Sequence, residues 1–156
     1  MSIDLDRLRT DFANIPLDES DREEVLHFLL RERRDGDADL LRHLLAAETA
    51  AHHEGWGLSE SMVLAALLLA ECGREEDVWT LWEAKNASFD TMAGIDGFLL
   101  FPAGIAGTTA HVIANENHPE RGDLMTYLSE YLEYEKLTDD DIREHIAGLR
   151  SHYAQP

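Results

Sequence analysis

The chain has a single cysteine, four prolines and only 13 basic residues against 32 acidic ones, and each scarcity closes off a class of protein. Cys72 cannot form an internal disulfide, and with Arg74 as its one nearby cation it reads as a packing residue rather than a nucleophile. The opening MSIDLDRLRTDF lacks the apolar stretch and small-residue cleavage site of a secretion signal, so a cytoplasmic protein is expected. In that compartment the sequon Asn86-Ala87-Ser88 goes unread. The formal net charge of −19 is spread along the whole sequence rather than gathered in a tail. Such a field repels phosphate backbones and anionic lipid, so neither nucleic acid nor membrane is an expected partner, whereas a basic protein is favoured.

Strict period-two alternation is missing too, and the longest apolar run, Met62 to Ala70, is about half the ~20 residues a bilayer crossing needs. What is present is helical periodicity almost throughout. We therefore expect a single all-α domain over residues 1–156 with about eight helices, arranged as antiparallel hairpins stacked into a short α-solenoid or an orthogonal bundle.

Leu5, Leu8, Phe12 and Ile15 form a first stripe that stops before Pro16, and Ser20 with Glu23 reads as a capping box opening a second helix to about Arg34. Asp35-Gly36-Asp37 breaks it, with Gly36 suited to a left-handed cap and Asp37 to capping the third helix, which carries Leu40, Leu41, Leu44 and Leu45. Gly55-Trp56-Gly57 ends that helix, and Ser59 opens a fourth that is apolar on every face and hence central to the core. Gly73 turns into a fifth helix begun by Glu75, Glu76 and Asp77. Regularity lapses over 86–97, about twice the usual helix-helix connection. Phe98 to Ile113 follows as a second buried helix, with Pro102 in its first turn and Gly104, Ala106, Gly107 and Ala110 permitting close packing. Leu124, Tyr127, Leu128, Tyr131 and Leu132 mark an amphipathic helix, and Thr138 with Asp141 caps the last one.

Laying Gly73 on Gly36, a shift of 37 residues, superimposes Leu41, Leu44, Leu45 and Ala47 on Val78, Leu81, Trp82 and Ala84. Gly73-Arg74-Glu75-Glu76-Asp77-Val78, followed by Trp82, is similar to the turn of a tetratricopeptide-type repeat. The resemblance covers residues 20–87 and implies an α-solenoid of tetratricopeptide or HEAT character, used as a protein-binding scaffold.

No phosphate loop, dinucleotide fingerprint or nucleophile elbow occurs, so we expect no catalytic residues and no cofactor. His52-His53-Glu54 with Glu48 does not make a metal site, because adjacent helical residues diverge by about 100°. His111, Asn115, Glu116 and His118 form either an acid-base cluster or caps for helix-terminal carbonyls. The irregular segment and the aromatics before it are the best binding candidates: Trp79, Trp82, Phe89, Asp90, Thr91 and Asp96. In the competing structural role, Phe89 and Ile95 plug the core while Asp90 and Asp96 cap helices. The expectation is a non-catalytic protein-interaction module. Its alternatives are an immunity- or antitoxin-like protein neutralising a basic partner, or a small-molecule binder or enzyme with a pocket lined by Trp82, Phe89, Phe98 and His111.

Overall fold

Every residue from Ser61 to Ala70 is buried in α4 (Glu60–Glu71), and the other helices are placed by the need to cover it. The fold is described by a computed structural model that covers residues 3–155, and among these it contains helices and turns but no strand. Before α4 come α1 (Leu5–Asp11), α2 (Glu19–Glu32) and α3 (Ala38–His52). After it come α5 (Val78–Lys85), a short α6 (Phe89–Gly94), α7 (Gly104–Ala114), α8 (Arg121–Glu135) and α9 (Asp139–Ala154). α2 lies along one side of α4 and α3 along another, α5 packs on both α3 and α4, and α9 returns to close the remaining side. Leu26, Leu29, Leu41, Leu44, Leu67, Leu68 and Leu81 are fully buried between these layers. No helix among the described residues is long and apolar enough to cross a membrane.

Two buried ion pairs repeat the same clasp. Arg34 and Arg74 each precede a 3-10 turn, Asp35–Asp37 and Glu75–Asp77, that runs into α3 and α5 respectively. Asp37 turns back to accept the Arg34 amide and is gripped by Arg9 of α1, with the Arg9 Nε 2.8 Å from its carboxylate. Asp77, 1% exposed, is gripped by Arg42 of α3, which donates through both Nε and Nη2. That hydrogen bond holds the Arg42 guanidinium above its ordinary range. In both cases an arginine on the fifth residue of one helix reaches the aspartate that starts the second helix after it. The structural equivalence thus pairs Asp37 with Asp77, 40 residues apart, not Gly36 with Gly73. Three residues are nearly one helical turn, so both registers keep the apolar stripe in phase and periodicity does not separate them.

The structure corrects four local expectations. The capping box of α2 is Asp18 with Asp21, not Ser20 with Glu23, because the chain leaving Pro16 is still extended at Asp18. Gly36 lies within a 3-10 turn at negative φ, while Gly73 does adopt the left-handed conformation at φ +73°. The carboxylate of Asp37, occupied by Arg9 and Arg34, makes no cap bond to α3. Finally, 98–113 is not one buried helix. Gly97–Leu100 forms a buried 3-10 turn, the chain breaks at Pro102 and Gly104 (φ +81°), and α7 then buries only Thr108 and Val112. Its small residues leave a half-open face rather than a tight contact. The Asp139 carboxylate seals the break by accepting the Ile105 amide at 2.8 Å.

Nothing lies within 4 Å of a Cβ built at Gly36, so Gly36→Ala is expected to be neutral or to stabilise by up to about 1 kcal/mol through the unfolded state. Gly73→Ala meets only an ordinary contact at 3.8 Å, and its loss of about 1–2 kcal/mol comes from the left-handed backbone; guanidinium unfolding reads both. Arg42→Ala strands the buried Asp77 carboxylate and is expected to cost about 3–5 kcal/mol in the same assay. Arg143→Ala, which breaks only an exposed pair with Asp140, leaves the transition where it was.

Candidate functional site

Trp79 and Trp82, three residues apart on α5, diverge as their spacing requires. Trp82 is 6% exposed and packs against Tyr127 of α8 with ring centroids 5.3 Å apart. Trp79 turns toward α7 and its exit, where the indole N–H donates to His111 Nε2 at 3.0 Å. On its open side the ring stacks on His118, centroids 3.7 Å apart and planes 9° from parallel. The Glu120 amide donates to His118 Nδ1, and Asn115 approaches His111 Nε2 at 3.3 Å, so the turn after α7 holds both imidazoles against the indole. The cluster of His111, Asn115 and His118 is thus a clamp on Trp79. Glu116 is exposed and takes no part in it.

Below this stack runs a groove of about 420 Å³ lined by His53, Trp79, Thr80, Trp82, Glu83, Asn86, His118 and Glu120. Its rim continues into the irregular segment, because His53 Nδ1 donates to the Ala87 carbonyl at 3.2 Å. Ser88 caps α6 with Thr91 in a reciprocal box, and Thr91, wholly buried, also donates to the Lys85 carbonyl. Asp90 reaches across to accept the Gly57 amide at 2.6 Å, and Leu58 packs against Gly94 so closely that a Cβ there would meet it at 2.2 Å. The turn between α3 and α4 is therefore fastened to α6. On this double loop Trp56 is 99% exposed and Phe89 87% exposed.

The segment divides its labour. Ile95 and Thr91 are buried and structural, Asp90 ties two loops together, and Phe89 faces solvent. Asp96 lies apart from the groove, near Lys85. The Lys85 ammonium, buried at 3% exposure, donates to the Met92 carbonyl at 2.7 Å and to the Ile95 carbonyl, and sits 5.6 Å from the Tyr127 ring centroid. Burial pushes it below the ordinary lysine range, and Asp96 draws it partly back. Burial likewise lifts the Asp96 carboxyl against the pull of Lys85 and His145, and lifts Tyr131, with help from Glu135 and Tyr127, to about 12. Gly97 is required here: a Cβ would meet Tyr131 at 2.5 Å and the Tyr127 hydroxyl at 2.7 Å.

Trp79, Trp82, Phe89 and Asp90 thus belong to one connected surface and its underside, while Thr91 holds the segment in shape and Asp96, whose side chain makes no cap bond, lies near Lys85. Trp82, Phe89, Phe98 and His111 do not line a common cavity, since Trp82 and Phe98 are in the core and Phe89 points outward. His52 is structural: Nδ1 donates to the Glu48 carbonyl and Nε2 accepts the Ser59 amide. Burial raises the Cys72 thiol, consistent with an inert packing role. Sequence reasoning passed over His53 and His118 as groove residues and Trp56 as an exposed aromatic of the adjoining loop. Trp56 alone carried a signal, an aromatic between two glycines that no helical stripe could claim. Comparison with protein-family models, with curated proteins and with solved structures finds no match to this chain.

Two outcomes test this geometry. Lys85→Met leaves the Met92 and Ile95 carbonyls without their donor and is expected to lower stability by about 1–3 kcal/mol per stranded group. Asp96 binds its proton more tightly in the folded than in the unfolded chain, so its contribution is complete below the ordinary aspartate range, about pH 3.9, and is lost as pH rises through its raised value. Asp96→Asn should therefore gain on the parent between pH 4 and pH 7 in thermal unfolding; an advantage that shrinks over that interval contradicts the assignment.

Proposed function

We propose that the chain is a non-catalytic protein-interaction module, a short helical repeat that presents the Trp56–Phe89 surface and the adjoining Trp79–His118 groove to a basic protein. The observation that carries this reading is the pair of nearly fully exposed aromatics on two loops that hydrogen bonding and packing hold together. Rigid aromatics lose little entropy on docking and serve as interface anchors, whereas a soluble domain gains nothing from leaving them in water. The −19 charge selects the partner's sign, steering a cationic surface toward the groove, whose rim carries Glu83 and Glu120. The layering of α2 on α4 and of α3 on α5, with its repeated Arg–Asp clasp, supports the α-solenoid character that the tetratricopeptide-like turn implies. An immunity- or antitoxin-like role is the narrower form of the same reading, in which the basic partner is a toxin.

Affinity capture from the native cell, with parent and Trp56→Ser/Phe89→Ser chains side by side, tests the surface. Both side chains are solvent-exposed, so the double variant should unfold within about 0.5 kcal/mol of the parent. It is expected to lose a basic partner that the parent retains and that elutes as salt is raised. A variant that captures the same proteins, or a partner whose binding ignores ionic strength, refutes the proposal.

A further inference from the structure

Glu23 and His27 stand four residues apart on α2 and so share one face, and the packing of α2 along α4 brings Glu60, the first residue of α4, up to them. One donor atom from each side chain, two carboxylate oxygens and an imidazole nitrogen, lies within 4.8 Å of the others. No other His, Cys, Asp and Glu side chains converge in this way among the described residues. None of the three has a hydrogen-bond or ion-pair partner among the described residues. The arginines along α2 are engaged elsewhere: Arg22 with Glu48 at 2.9 Å, Arg31 over the Phe28 ring at 5.3 Å, and Arg33 with Glu71 at 3.4 Å. Two carboxylates without a cationic partner thus converge beside an imidazole on a chain of net charge −19, an arrangement that a cation turns from repulsive to attractive.

We propose that Glu23, His27 and Glu60 form a binding site for a divalent first-row transition metal of the Zn²⁺ type. One nitrogen and two oxygens suit such an ion; the imidazole disfavours Mg²⁺ and Ca²⁺, which take oxygen ligands. Bond lengths of about 2.0–2.1 Å require the donors to close to roughly 3.3 Å, which rotation of the exposed Glu23 and Glu60 side chains permits. Three protein ligands leave the remaining coordination to water or to a ligand atom from outside. The bound ion staples α2 to α4. Sequence spacing misses the site because Glu23 and His27 supply only two ligands, and the third comes from another helix.

Calorimetric titration of the full chain with zinc chloride in a non-phosphate buffer at pH 7.5 is expected to show one saturable site, with a Tm raised by roughly 5 °C at a hundredfold excess over Kd. His27→Gln, at a half-buried position, and Glu60→Gln, at the surface, should each weaken binding by at least about tenfold with an unchanged circular dichroism spectrum, while exposed His152→Gln binds as the parent does. Affinity should fall as the pH is lowered, because carboxylate and imidazole ligands bind the metal only when deprotonated. The site is overturned if zinc up to millimolar concentration gives neither heat nor a Tm shift, if the His27 and Glu60 variants bind as tightly as the parent, or if equimolar Mg²⁺ displaces the zinc, the mark of a diffuse acidic surface.

Discussion

A helix with no polar face must be covered on every side, and that demand from α4 organises the molecule. α2, α3, α5 and α9 each bury part of it, together with the buried turn at 97–100. Because the apolar contacts are non-directional, they fix proximity better than register. Register comes from the polar groups trapped alongside. Arg9 on Asp37, Arg42 on Asp77 and Arg22 on Glu48 each bury a carboxylate that only one arginine can reach, and a sliding helix would strand it.

The same logic reaches the surface. Helix α6 and the turn after α3 are short and contribute few apolar contacts, so polar ties hold them: Asp90 on the Gly57 amide, Thr91 on the Lys85 carbonyl, and Lys85 on two carbonyls of the segment it anchors. These ties hold together the two loops that carry Phe89 and Trp56, with both rings outside the core. On the neighbouring face His111 and His118 hold Trp79 from two directions, giving the groove a fixed wall.

The all-helical class, α4 as the central helix, the caps at Ser59 and Thr138 and the tight turn at Gly73 were legible in the residues themselves, because each follows from local chemistry or from a period of 3.6. The break after Phe101 was not. Its residues are uniformly apolar and small, and the stop is made by Gly104 and by Asp139, a residue far along the chain. The binding candidates were half legible: Trp79 and Phe89 stood out as aromatics near an irregular segment, yet nothing local indicated that Thr91 would be buried or that His53 and His118 would join the groove.

What the sequence determined by itself is which stretches outside 86–113 are helical, which helix has to be innermost, and the sign of the electrostatic field around the whole. Tertiary structure alone decided which arginine meets which aspartate, that the repeat falls on Asp37 and Asp77, and that Glu23, His27 and Glu60 converge. The division has a physical cause. Helix formation and burial depend on neighbours one turn away, while pairing depends on the distance between side chains that the folded backbone brings together from separate helices.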